Sequence, residues 1–243
     1  MIPMFRSEWL KIRRSVIWLL VAVSPLIASM FGFMDSGVET GERFPWIEAL
    51  MMMSILHAML FLPLLTGIYA ALVCRYEHAG GGWKTMLSLP VTRTRVYVVK
   101  FAVIMMMLAA TQALFLLAVI FVGTLHGFSD PVPWKALLVS VAWGWIACLP
   151  LAALQLFVSV AFQSFAAPLA VNVVLTLPNI LVVNSDTYAP YYPWAQPMLA
   201  MLPREAYGDG AFNTISAALP VVILISFLLF FITGWTYFSK KAV

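Results

Sequence analysis

Charge is scarce in this sequence. Only 10% of its 243 residues are Asp, Glu, Lys or Arg, while 63% are hydrophobic. Soluble domains carry about a quarter charged residues. One small core cannot hide so much apolar surface, so the expected solvent is lipid. Cysteine is nearly absent too. Cys74 closes one apolar run and Cys148 lies deep in another, a placement that offers neither a disulfide framework nor metal-ligand spacing. Both are expected to be inert, small apolar residues. Of three histidines, only His57 falls inside an apolar run, and no carboxylate stands within a span to orient it. An intramembrane enzyme would want such a partner at matched depth. No Asp, Glu, Lys or Arg sits well inside a run, where an ion-driven carrier usually holds one. That lack argues against a secondary transporter and fits a machine powered from outside the bilayer.

What is present is a succession of long apolar runs. Six approach the roughly 20 residues that a helix needs to cross a bilayer: 16–34, 49–73, 97–125, 136–162, 166–183 and 215–238. The expected fold is all-α and integral to the membrane, one transmembrane domain over 1–243 with six helices and a tight hairpin between the fourth and fifth. The run after the basic stretch 1–15 is long enough to span, so a retained anchor rather than a cleaved signal is expected. Orientation follows from the basic residues. With the N-terminus inside, the inner segments hold Arg6, Lys11, Arg13, Arg14, Arg75, Lys84, Arg93, Arg95, Lys100, Lys240 and Lys241, and the outer ones only Arg43, Lys135 and Arg204. Both termini are therefore expected on the cytoplasmic side.

The longest polar interruption in the front half is "YEHAGGGWKTMLSLPVTRTRVYVVK", Tyr76 to Lys100. Its glycines and Lys-Thr pair invite comparison with a phosphate-binding loop. That loop needs G-x-x-x-x-G-K-[ST] after a strand. Here Trp83 separates Gly82 from Lys84, no glycine stands five residues before Gly82, and a membrane helix precedes the stretch. No nucleotide site is expected. Trp83, Met86 and Leu87 instead share one helical face, ended by Pro90, with Glu77 before and Arg93 and Arg95 after. Two readings stand side by side: a helix lying on lipid headgroups, or a docking helix for a cytoplasmic partner. The N-terminus repeats the pattern, with Phe5, Trp9, Ile12 and Val16 on one face and Arg6, Lys11, Arg13 and Arg14 around it. It reads as an amphipathic helix at the inner surface.

The run Glu77–Lys100 resembles the loop between helices two and three of type-2 ATP-binding-cassette permeases. An acid opens it, followed by a Gly-aromatic step, a Leu-x-Leu-Pro turn, then Arg and a Lys entering the third helix. The layout of the whole chain is similar to that family, and "YYPWAQP" at 191–197 resembles an outer loop of lantibiotic-immunity and bacitracin-type permeases. The resemblance implies a coupling helix in 74–96 that docks on a separate ATP-binding subunit, with Glu77, Gly82, Trp83, Met86, Leu87 and Arg93 at the contact. It implies pairing with a second permease chain, the same or paralogous, in a bacterial cytoplasmic membrane. This chain would bind no cofactor and hydrolyse nothing, ATP and Mg being held by the partner, and no nucleic acid is involved. The implied cargo is an antimicrobial peptide, with a lipid-linked precursor or a small drug as alternatives. A scaffold or sensor without transport remains a further reading.

Polar residues within the runs are His57, Thr111, Gln112, Gln155, Asn172, Thr176 and Asn179. Interhelical hydrogen bonds account for such residues at about 1 kcal/mol each. Gln112, Asn172, Thr176 and Asn179 are also candidates for a translocation path or dimer interface, Asn172 above all, because Pro168 and Pro178 free backbone carbonyls beside it. The outer segment 184–214 is rich in Tyr, Trp and Pro. It reads as an aromatic belt at the interface, or as a lid carried by Tyr191, Tyr192 and Trp194.

Overall fold

A computed structural model describes residues 2–13, 17–34, 45–78, 82–83, 91–202 and 212–241. Among these, every regular element is helical. They are α1 (Ile2–Arg13), α2 (Ile17–Met34), α3 (Pro45–His78), α4 (Arg93–Leu125), α5 (Trp134–Ala161), α6 (Ala166–Thr176), α7 (Asn179–Val182), α8 (Gln196–Met201) and α9 (Phe212–Lys240). Local chemistry explains several boundaries. The Thr92 hydroxyl accepts from the Arg95 N–H and caps α4, satisfying one of the free donors of a helix start. At its other end the N–H groups of Gly127 and Phe128 return to the carbonyls of Thr124 and Gly123, closing the last turn.

Among the described residues, five helices are long and apolar enough to cross a bilayer: α2, α3, α4, α5 and Ala218–Lys240 of α9. Six were expected, and the difference lies at 166–183. Pro178 has no N–H to continue the helix, which stops at Leu177 and restarts at Asn179. The apolar helix Ala166–Val182 rises about 26 Å, short of the ~30 Å hydrocarbon layer. It nonetheless runs antiparallel to α3. The Arg75 guanidinium lies 5.4 Å over the Phe165 ring at one end, and Asn179 reaches the Met59 carbonyl at the other.

Within α3, His57–Phe61 form a π-helical turn just before Pro63. A residue without an N–H leaves a carbonyl unpartnered one turn back, and the wider turn falls at that break. The helix α4 is central. Val103, Ile104, Met107, Leu108, Phe115, Val119 and Val122 are buried along it, against α2, α3 and α5. Helix α9 leans on α5 and turns Val221, Leu224, Ile225, Leu228, Leu229 and Ile232 outward, as a helix bathed in lipid does.

The segment after α7 departs from the expected outer position. It turns inward through a 3₁₀ turn at Ala189–Tyr191 and enters α8, which packs on α5. The Ser140 hydroxyl donates to the Met201 carbonyl at 2.6 Å, and Gln112 Nε2 lies 3.5 Å from Met201 Sδ. From Gln112 to the Leu125 end of α4 is roughly 20 Å of helix rise, so this segment re-enters the bundle.

Candidate functional site

Where the ends of α3, α5 and α9 meet the start of α4, an ionic cluster is largely buried, with Lys11 alone partly exposed. Lys100 is 1% exposed, Glu77 2% and Glu8 3%. Lys11 Nζ lies 2.7 Å from Glu8 Oε1 and 2.8 Å from Glu77 Oε1. Lys100 Nζ lies 2.8 Å from Glu77 Oε2 and 3.4 Å from Glu8 Oε2, and donates to the Val73 carbonyl at 2.8 Å. The contact to Glu77 Oε2 is an ion pair off the hydrogen-bond direction, since that oxygen has no hydrogen-bond partner. Two ammonium groups against two carboxylates make the cluster neutral, which burial demands. Burial pulls the pKa of Lys11 down, and the bonds and charges of Glu77 and Glu8 outweigh it, holding the group above its ordinary value. A raised lysine contributes stability at all pH below its ordinary value and loses it only as pH climbs through the folded value. The contribution of Lys11 is therefore constant near neutral pH.

The loop after α3 is fastened to this cluster from within. The Trp83 ring is 8% exposed; it lies under Lys100 Nζ at 5.5 Å and against Phe238 at 5.1 Å. Its indole N–H donates to His78 Nδ1 at 3.2 Å, and His78 Nε2 meets the Ser159 carbonyl at 2.8 Å. One tautomer serves both, with the proton on Nε2. A Cβ on Gly82 would stand 2.8 Å from Glu77 Cα and 2.9 Å from the Tyr76 carbonyl oxygen, so only glycine lets the chain fold back this closely on α3. Arg93 donates to the carbonyls of Phe238, Ser239 and Lys241, and Lys241 Nζ to those of Val160 and Ala161. Cations thus cap the C-termini of α9 and α5. All these ends are tied at one level.

Glu77, Trp83 and Arg93, expected to touch a partner, therefore spend their side chains inside the chain. Met86 and Leu87 lie outside the described residues. Lys100, counted from the sequence with the inner loop, is fully buried near the start of α4, between α1, α3 and the Trp83 ring. Glu8 was not singled out from the sequence at all.

Deeper in the bundle a polar column crosses the helices. The Ser24 hydroxyl meets His57 Nδ1 at 2.6 Å, and His57 Nε2 meets Gln112 Oε1 at 2.9 Å. Gln112 Nε2 donates to the Val141 carbonyl at 3.2 Å. The amide oxygen can only accept, so His57 donates from Nε2 and receives the Ser24 proton at Nδ1. The imidazole stacks on Phe115 at 4.0 Å. This is a saturated set of bonds between α2, α3, α4 and α5, as buried polar groups require.

The remaining candidates gather at the break in α3. Asn172 is fully used: Nδ2 donates to the carbonyls of Pro63 (3.0 Å) and Leu64 (3.2 Å), while Oδ1 accepts from Gln155 Nε2 (3.0 Å) and Trp194 Nε1 (2.9 Å). Thr176 bonds back to the Asn172 carbonyl at 2.7 Å. Asn179 Nδ2 donates to the carbonyls of Met59 (2.7 Å) and Trp194 (2.9 Å). A Cβ on Gly67 would stand 2.2 Å from Asn172 Nδ2, so glycine admits the asparagine to the α3 backbone. Trp194 is buried, Tyr192 is half-buried with its hydroxyl on the Leu175 carbonyl, and Tyr191 is exposed. Of the three lid candidates, only Tyr191 faces outward.

Among the described residues no group of His, Cys, Asp and Glu is placed to hold a metal ion. A comparison with curated proteins finds no match. Residues 4–179 match the family described as ABC-2 family transporter protein, and the chain belongs to that family, as the multi-pass membrane component of an ATP-binding-cassette transporter.

Proposed function

We propose that this chain is the permease of an ATP-driven exporter, that the loop 74–96 docks on a separate ATP-binding subunit through its part beyond Trp83, and that two permease chains together form the path. The observation that carries the reading is the neutral ionic cluster with Trp83 packed upon it. It anchors both ends of the loop, at Gly82–Trp83 and at Arg93, to the ends of α3, α5 and α9. A push transmitted to Trp83 or Arg93 then reaches several helices directly. On this reading Glu77, Gly82 and Trp83 position the loop, and Met86 and Leu87 supply its contact face. Both termini lie on the cytoplasmic side, where most of the basic residues gather, and α6 with α7 makes the sixth pass beside α3. The membrane is the bacterial cytoplasmic membrane.

The proposed cargo is an amphiphilic or antimicrobial peptide leaving the membrane. Lipid-linked precursors and small drugs suit the same architecture. Copurification tests the reading: an affinity-tagged chain should bring down a nucleotide-binding subunit with ATPase activity that cargo stimulates. A chain that captures no such subunit is a scaffold, and the permease reading fails.

A further inference from the structure

We propose that Trp194 is a latch that keeps the re-entrant segment Ala189–Met201 seated in the bundle, and that Asn172 and Asn179 tie this latch to the interrupted turn of α3. The inference rests on the permease reading only for its purpose, opening of the path on the far side. Its geometry stands alone. Trp194 is held at two atoms: its indole N–H donates to Asn172 Oδ1 at 2.9 Å, and its carbonyl accepts from Asn179 Nδ2 at 2.9 Å.

Each asparagine has a second hold on α3. Asn172 covers the carbonyls of Pro63 and Leu64, and Asn179 that of Met59. Met59 lies within the π-helical turn, and its carbonyl is the one an N–H at position 63 would take in a regular α-helix. Proline supplies none. One amide group therefore bonds both the broken turn and the outer segment. An N–H supplied at position 63 by substitution would compete for that carbonyl, and Asn179 would lose one of its two fixed points, and the latch with it. Beyond the latch, Met201 closes on Ser140 and Gln112, so release of Trp194 uncovers the polar column from the far side.

The test uses the full chain in lipid nanodiscs, with Cys74 and Cys148 replaced by alanine and Ser140→Cys as reporter. Ser140 is buried behind Met201, and the probe is a charged methanethiosulfonate. Trp194→Phe keeps an aromatic ring and the backbone carbonyl but removes the N–H. Labelling of the reporter thiol at position 140 should speed up by about tenfold, the equivalent of one buried hydrogen bond. Asn179→Leu should do the same. Pro63→Ala, a change in α3 and not in the outer segment, should also speed labelling, because the new N–H competes for the Met59 carbonyl. A second reporter, Thr94→Cys at the far end of α4, should react at one rate in every variant and so exclude general unfolding. Wild-type labelling in Trp194→Phe and Asn179→Leu would overturn the latch, leaving Trp194 a packed aromatic. Wild-type labelling in Pro63→Ala alone would overturn the link to α3. Neither cargo nor ATPase enters the assay, so the latch and the permease reading fail separately.

Discussion

Lys100 shows how much one side chain can organise. Its ammonium meets Glu8, Glu77, the Val73 carbonyl and the Trp83 ring, so it joins α1, α3, α4 and the loop at a point. Lys100→Met leaves two buried carboxylates facing one ammonium, and an unpaired buried charge costs roughly 3–5 kcal/mol. Thermal unfolding in detergent should show a lower midpoint for this variant. Adding Glu77→Gln restores the charge balance and should recover most of the loss. Equal midpoints for wild type and Lys100→Met would show that the cluster is not neutralised as described. Little of this was legible in the sequence. Lys100 reads as the last basic residue of a wet loop, and Glu8 as one acid in a basic stretch. What pairs them is the return of α1 to the start of α4, a tertiary contact across 92 positions. The usable signal was local: an acid amid the N-terminal basic residues and another beside the membrane are costly unless each finds a cation.

At the scale of elements, legibility follows what decides each boundary. Helix α4 ends at Leu125 and α2 at Met34, where the apolar runs of the sequence also end. Helix α6 breaks where Pro178 withdraws an N–H, and that was readable as a kink but not as a shortfall in span. The re-entry of α8 was hidden. The tyrosines and prolines that lead into it suit an interfacial belt equally well, and only the partners of Trp194 and Met201 decide. The fit of α6 against α3 turns on Gly67. Gly67→Ala would drive a methyl into the Asn172 amide and separate the helices, because close-packed interiors absorb even one methyl poorly. Hydrogen exchange of the α6 amides should then quicken by tenfold or more, while the interior amides of α4, which does not lean on Asn172, keep their protection. Unchanged exchange in α6 would mean that Asn172 can move aside at no cost.

For the whole molecule, the arrangement is a bundle cross-tied at one end by charge, in its middle by His57 and Gln112, and towards the other end by two asparagines. Topology orients these levels. A cysteine at Thr40 should react with an impermeant thiol reagent on intact cells, and one at Thr94 should not. The reverse pattern would invert the bundle and place the ionic cluster on the wrong side for any cytoplasmic partner.

The central claim is that the segment beyond Trp83 couples this bundle to an ATPase, and partner binding measures it most directly. The chain is coexpressed with its ATP-binding subunit and purified from membranes as wild type, as Met86→Asp with Leu87→Asp, and as Lys84→Ala. Loss of an apolar anchor at an interface centre costs about 2 kcal/mol or more, roughly a thirtyfold weaker complex. The double aspartate variant should therefore reach the membrane in normal amount yet lose the ATPase and its stimulation, while Lys84→Ala retains both. Full ATPase recovery with the double variant, or loss with Lys84→Ala alone, would contradict the account.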